Sequence, residues 1–387
     1  MIDHRLLEEV RSSRRELFND TRLRAELEQQ GFDGIIAVSP INITYSGGAL
    51  FKVPYVLSFV VTLPDGRQGV VVNEADAYYF AKDSWIKDVR SYRYSTSLHE
   101  MNEAAIGLLQ GLMADLGIER GNFGIERNYL PAFWCEAIEQ AFPNIKFVDC
   151  AAAFQAVRMF KTPREIDVLR IAAYYTDKAI GTSFALARPG DTEKSIADRI
   201  YSTMLSQGAD YISHCVASTG LQSTIVHAWP SALTLKPGEV VHVDTGGDFA
   251  GYQTDLARNA VVGRPSPQQA DIYARMWDAH QKICERLQPG VHAGELYSFA
   301  RKCMTDVGLD HPWGTFGHST GLSVHEGFEI AEGSNQIIQP GMAINIEPSH
   351  IEAGDARYHL EDTFAIHEDH AELLSSFTDR SEMLCIQ

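Results

Sequence analysis

"GEVVHVDTGGDFAGYQTDLARNAVVG", residues 238–263, is the stretch on which the fold of this chain turns. Its arms, VVHVDTGG and GYQTDLARN, are strand-like and meet at a glycine-rich turn, so Asp244 and Asp255 are expected on neighbouring antiparallel strands with converging carboxylates. Aspartate is disfavoured within strands, and two in facing arms repel unless a cation or a basic group lies between them.

The same oddity recurs further along. "GMAINIEPSH" places Glu347 at the end of a nearly apolar strand, and "RYHLEDTFAI" places Glu361 and Asp362 inside another. Between the hairpin and these segments, "GHSTGLSVHEGFEI", residues 317–330, offers His318 and His325 on glycine-rich backbone without a helical apolar stripe. Burying a carboxylate is costly unless it is paired or bound to metal. Taken singly, a strand aspartate is more often a cap or a salt bridge, and a lone histidine more often a core residue than a ligand. Asp244, Asp255, His318, Glu347 and Glu361 together, each in otherwise apolar surroundings and in order over one domain, argue for more. Hard oxygen donors with one imidazole favour a Mn, Fe, Co or Zn type of divalent ion, and four carboxylates suffice to hold two.

The rest of the chain bounds the setting. Its 387 residues allow two domains, and 45% apolar content builds full cores. From about residue 14 to 150, helical segments (RRELFNDTRLRAELEQQ, NEAAIGLLQGLMADLG) alternate with strand-like ones (DGIIAVS, YVLSFVVTL, GVVVNEADA, FGIE), which reads as an α/β domain. Thr162 and Pro163 then open a long helix, so domains 1–158 and 159–387 are expected. In the second, strands joined by hairpins are interleaved with helices near 266–288 and 294–308, which reads as α+β with an antiparallel sheet backed by helices.

Composition excludes several classes. The 33 Lys+Arg against 51 Asp+Glu give a net charge of −18, which opposes nucleic acid and anionic membranes as partners. Six cysteines without CxxC pairing suit reduced thiols rather than disulfides or a zinc knuckle. A start charged from its third residue and the lack of a long apolar run point to a cytoplasmic protein.

The order Asp, Asp, His, Glu, Glu resembles the pita-bread-fold metallopeptidase family of methionine aminopeptidase, aminopeptidase P and prolidase, with creatinase as a metal-free relative. "HVDTGGDFAGYQTDLAR" is similar to the family hairpin, "GHSTGLSVHE" to its GHGxGxxxHE segment, "PGMAINIEP" to its PGMxxxxEP strand and "LED" to its terminal ligand strand. "FKTPREIDVLRIAA" resembles the first helix of this domain in prolidase-like members, and the α/β segment before it suits their creatinase-like N-terminal domain.

The resemblance implies a dinuclear centre with Asp244, Asp255, His318, Glu347 and Glu361 as ligands, Asp255 and Glu361 bridging two divalent ions. Manganese is expected first, with cobalt, zinc and iron sharing these ligands. It further implies hydrolysis of Xaa-Pro peptide bonds by a metal-bridging hydroxide, substrate-facing histidines at His227 and His325, and Glu347 relaying a proton to the leaving nitrogen. Tyr45 and Phe51, in "NITYSGGALF", fall in the segment that reaches a partner's site in prolidase-like dimers, so a homodimer and substrate contact are expected there, against the plainer reading that both are core.

Three departures from the pattern bear on substrate. The glycine usual after the metal histidine is Ser319, Gly327, Phe328 and Glu329 follow His325 and Glu326 where a proline is common nearby, and His359 stands where prolidases carry a carboxylate-binding arginine. Histidine lacks arginine's bidentate fork, and Arg357, four residues before Glu361, replaces it only if the backbone shifts. Asp248 reads as a turn residue. Two further readings stay open: the same fold and metals acting on a small molecule, in the manner of creatinase or a dimethylsulfoniopropionate lyase, and a binding protein on an inactive scaffold.

Overall fold

A computed structural model describes residues 5–51 and 56–387, and in it the chain divides into two units, Arg5–Arg158 and Met159–Gln387. The first is built on a six-stranded mixed sheet of β1 (Gly34–Ala37), β2 (Phe59–Thr62), β3 (Gln68–Asn73), β4 (Val89–Tyr92), β5 (Gly121–Ile125) and β6 (Ile145–Asp149), in the order β4-β3-β2-β1-β5-β6. Ile36, Val61, Val71 and Phe123 of these strands form one core with Leu109 and Leu112 of the helix Leu98–Asp115. Two segments differ from the sequence reading. YVLSFVVTL is strand only over Phe59–Thr62, its Tyr55 lying outside the described residues. GVVVNEADA ends as a strand at Asn73, whose side-chain oxygen accepts the Ala75 N–H and caps a helix over Glu74–Asp83.

The second unit opens with the helix Pro163–Leu186. Thr162 caps it, and Glu165 returns the bond to the Thr162 N–H, a capping box with proline in the first turn. This helix packs across a sheet of β7 (Tyr211–Thr219), β8 (Val240–Phe249), β9 (Tyr252–Gln253) and β10 (Leu256–Val262), which a C-terminal strand extends. The hairpin keeps the expected arms: β8 runs straight through Gly246 and Gly247, and the reversal falls at Ala250 and Gly251, with φ of 54° and 93°. Two consecutive positive φ values match the right-handed twist of the arms. Asp248 serves the turn, accepting the Gly251 N–H and the Gln253 side-chain amide.

A second sheet contains β11 (Thr315–Ser319), β12 (Glu329–Ala331), β13 (Ala343–Ile346), and, beyond a separate two-stranded ribbon of β14 (Ser349–Ile351) and β15 (Arg357–His359), β16 (Asp362–Ile366) and β17 (Ala371–Leu373). The last strand is β18 (Leu384–Ile386), parallel to β10. Phe316, Ile344, Ile346 and Phe364 share a core with Ile272, Met276 and Ile283 of the helix Pro267–Arg286 and Leu296 of the helix Ala293–Asp306. Each such fully buried side chain contributes about 1.5 to 3 kcal/mol. The sequence reads MAINIEPSHI and YHLEDTFAIH as one strand each. The structure breaks both, because the chain leaves the larger sheet for the ribbon at Glu347–Pro348 and returns at Leu360–Glu361.

Candidate metal centre

Those two breaks lie opposite one another, since Ile346 pairs with Asp362 on one side and Ser349 with His359 on the other. Buried amides freed from a ladder need new acceptors. The Glu347 N–H donates to the Phe316 carbonyl of β11 and the Glu361 N–H to the Ala257 carbonyl of β10. The breaks are thereby stitched to the strands that carry the other acidic and imidazole groups. Asp244 lies on β8 opposite Ala257, Asp255 lies in the gap between β9 and β10, and His318 lies on β11 opposite Asn345. The Asn345 side-chain amide donates to both the Asp255 carbonyl and the Glu361 carboxylate, at 3.0 Å each.

The five residues singled out from the sequence converge. His318 Nε2 is 3.7 Å from Asp255 Oδ2, 3.7 Å from Glu361 Oε1 and 3.9 Å from Glu347 Oε1. A sixth group joins them that the sequence reading missed: His214 of β7, whose Nε2 is 2.9 Å from Asp255 Oδ1 and 3.5 Å from Asp244 Oδ1. Asp255 thus offers one oxygen to each imidazole. His359 completes the inner wall. Its Nδ1 is 3.8 Å from Asp244 Oδ2 and 3.2 Å from His242 Nε2, while its Nε2, 3.7 Å from Glu347 Oε2, is buried without a hydrogen-bond partner.

Electrostatics describe a site short of positive charge. Burial, then repulsion from Glu361, pushes Asp255 above the usual carboxylate range, and burial with the other carboxylates does the same to Glu347 and Glu361. For Asp244 burial acts upward too, but His214 and His359 outweigh it and hold the group low. Burial lowers His318 and His359. Among the described residues, no lysine or arginine forms an ion pair with any of the four carboxylates. Acidic oxygens gathered around imidazole nitrogens, with no lysine or arginine paired to them, are the donor chemistry of divalent ions, so the residues fit that role.

The cluster opens into a cleft of about 910 Å³, lined by His227, His325, Trp229, Trp313 and Arg357. His325 is half exposed, stacks on His318 with ring centroids 3.8 Å apart, and shares a 2.9 Å bond between Nδ1 and Glu329 Oε1. That bond is the largest cause raising its pKa. Arg357 is 2% exposed; its Nε donates to Ser349 Oγ, its guanidinium lies 5.6 Å from the Trp313 ring centre, and its Nη1 has no partner. Ser319 is buried on β11, its hydroxyl also without a partner. Tyr45 and Phe51 lie in the core of the first unit at 3% and 4% exposure, where Tyr45 Oη accepts the Asn19 N–H and Phe51 donates its N–H to Thr44.

Comparison with known proteins agrees with this geometry. Residues 167–368 match the model of metallopeptidase family M24, and residues 21–160 match that of the creatinase/prolidase N-terminal domain. A Xaa-Pro dipeptidase of Lactobacillus delbrueckii subsp. lactis is 27% identical over 369 residues, covering 91% of this chain and 95% of that protein. One from Pyrococcus furiosus is 25% identical over 353 residues, covering 90% and 95%. Among solved structures, a Xaa-Pro dipeptidase from Bacillus anthracis superposes with a TM-score of 0.83 at 23% identity, covering 95% of this chain and 98% of its own. An X-Pro aminopeptidase from Thermotoga maritima does so with 0.82 at 21%, covering 96% and 100%. This chain, a creatinase-type N-terminal domain followed by a pita-bread domain, belongs to metallopeptidase family M24.

Proposed function

We propose that the chain hydrolyses Xaa-Pro peptide bonds at a dinuclear divalent-metal centre held by Asp244, Asp255, His318, Glu347 and Glu361. The observation that carries this reading is the disposition of Asp255, with Oδ1 2.9 Å from His214 Nε2 and Oδ2 3.7 Å from His318 Nε2, which suits a carboxylate shared by two ions. When bound, two such ions supply a water of lowered pKa and polarise the scissile carbonyl. Glu347, at the mouth of the cluster with His359 beside its Oε2, is placed to take the proton from that water and deliver it to the leaving nitrogen. Glu329 accepts only, so His325 carries its proton on Nδ1 toward Glu329, and when protonated it has Nε2–H left to donate to substrate. His227 lines the same cleft from the facing loop.

Arg357 supports a substrate with a free carboxylate. Its guanidinium lines the cleft with an unpaired Nη1, two positions from the residue, His359, that takes the place of the usual arginine. A buried fork with a spare donor is suited to a planar anion. Manganese is the ion we expect first, and a homodimer the working form. A second reading, a small-molecule hydrolase or lyase on the same metals, is favoured by the imidazole-rich inner wall of His214, His242 and His359.

Elemental analysis of the purified chain, with turnover of Ala-Pro, a longer Xaa-Pro peptide, creatine and dimethylsulfoniopropionate, tests these readings. Two ions per chain with Xaa-Pro cleavage, both lost in Asp255→Asn, is the expected result. Two ions with turnover of only a small molecule supports the second reading, and a chain that binds no divalent ion overturns both.

A further inference from the structure

His214 is not among the five residues that the sequence pattern singles out, and three features aim it at the cluster. First, the β7–β8 ladder shifts register between Ile212 and His214, so a bulge at Ser213 turns the His214 side chain. Bulges re-aim side chains in this way beside functional sites. Second, His214 pairs with Gly246, where an added Cβ would stand 2.7 Å from His214 Cε1 and 1.8 Å from the Thr254 carbonyl oxygen. Only glycine leaves room there for the ring and for the Thr254–Asp255 backbone together. Third, the ring is held at its far side, with Ser213 Oγ 3.2 Å from Nδ1. If Ser213 accepts the Nδ1 proton, the Nε2 lone pair is left facing Asp244 and Asp255.

We propose that His214 is a metal ligand, completing with Asp244 and one oxygen of Asp255 the donor set of one ion, as His318 does for the other. This rests on reading the cluster as a two-ion site. The separations of His214 Nε2 from the two carboxylate oxygens, 2.9 and 3.5 Å, are those of neighbouring donors about 2.0 to 2.2 Å from a common ion, which lie roughly 2.8 to 3.6 Å apart. Asp244, Asp255 and His214 also form a group whose ligand atoms fall within the span one ion occupies. A carboxylate set with a single imidazole leaves one ion with oxygen donors alone. With His214 each ion has one nitrogen, and the preference of the Asp244 side moves from manganese toward ions later in the series, such as cobalt or zinc.

The test uses the full-length chain freed of metal by a chelator, then titrated with cobalt(II) or manganese(II), bound metal being read by elemental analysis after gel filtration and by calorimetry. Wild type is expected to take up two equivalents of cobalt. In His214→Ala one equivalent keeps its affinity and the other weakens at least tenfold. In His214→Asp, which restores an all-oxygen donor set, the ratio of cobalt to manganese affinity at that site falls at least tenfold. Because His214 is about one-third exposed at its side chain, both variants are expected to fold, and circular dichroism checks this. If both variants bind two cobalt ions with wild-type affinities and an unchanged ratio, His214 is only a hydrogen-bond partner of Asp255 and the proposal is wrong. A wild type that binds fewer than two ions, or an Asp255→Asn variant that binds as wild type does, overturns the two-ion reading itself, and this inference with it.

Discussion

Replacing Arg258 with methionine should loosen the metal cluster from behind. Arg258 is 1% exposed on β10, and all its nitrogens are committed: Nε to Asp177 Oδ1 at 3.0 Å, Nη2 to Asp362 Oδ1 at 2.9 Å and Asp177 Oδ1 at 3.0 Å, and Nη1 to the carbonyls of Ala257 and Glu361 at 2.9 and 2.6 Å. It therefore ties the helix Pro163–Leu186 to the two central sheets and fixes the backbone of Glu361 directly. Removing one member of a buried ion-pair network commonly costs about 3 to 5 kcal/mol, because the partner charges remain buried. Here the remaining carboxylates are not abandoned. Asp177 still accepts the Phe377 and Thr378 N–H groups, and Asp362 keeps Ser375 and Arg380, so the lower end, about 3 kcal/mol, is expected. For a unit of this size that corresponds to a fall of roughly 6 to 12 °C in the melting transition. The transition to follow by calorimetry is the one that shifts when divalent metal is added. Metal affinity should fall by about tenfold or more, as for loss of groups that orient ligands. A melting change under about 2 °C with unaltered metal affinity would falsify the view that this network positions Glu361.

Three further outcomes are expected. A Cβ at Gly317 would lie 2.0 Å from the Asn345 carbonyl oxygen across the β11–β13 ladder, so Gly317→Ala should cost about 3 kcal/mol and weaken metal binding through His318, read by denaturant titration and elemental analysis; unchanged binding would refute the close approach. Thr162→Ala removes the cap of the helix Pro163–Leu186 and should cost about 1 kcal/mol with no change in the substrate profile. In the metal-free chain Glu361 is pushed up to about 8 by burial and Asp244, so the folded form holds a proton that the unfolded form has released. That contribution is complete below the ordinary glutamate pKa near 4 and is lost as pH rises through the folded value. Stability of the metal-free chain should therefore decline from about pH 5 to about pH 8 and level off above, by less in Glu361→Gln, and added divalent ions should flatten the profile; a profile that rises over this range contradicts the burial argument.

How far the sequence reaches is clearest at the strand breaks. Acidic residues in apolar runs could be found because burying them conflicts with local chemistry, and Asp244, Asp255, His318, Glu347 and Glu361 do meet in space. In MAINIEPSHI only Pro348, which has no N–H for a ladder, hints at the break, and in YHLEDTFAIH nothing local marks it, since only pairing with different neighbours interrupts the ladder at Glu361. What the glycine pair of DTGGD is for was hidden for a related reason. Glycine in a strand signals either a turn or a close approach, and at Gly246 the approach is that of Thr254 and His214 from two other segments.

His214 was illegible on the same ground. In DYISHCVASTG it is one residue of a half-buried strand, and nothing local distinguishes it. Its place at the cluster depends on a bulge one residue before it and on a missing side chain thirty-odd residues later, at Gly246. The two signals are meaningful only together, and only once β7 is known to lie against β8. The inner wall of this cleft, where His214, His242 and His359 stand near the acidic oxygens, is thus determined by tertiary pairing rather than by motif. Arg357 and His359, two residues apart on one short ribbon, share a face of it, Arg357 lining the cleft and His359 lying against Asp244 and Glu347. Exchanging the two, with His359→Arg and Arg357→His combined, should move the guanidinium along that ribbon. A shift in KM for carboxylate-bearing substrates with little change in kcat is the outcome that follows if Arg357 binds the carboxylate, and equal losses in both constants would assign it to support of the metal centre instead.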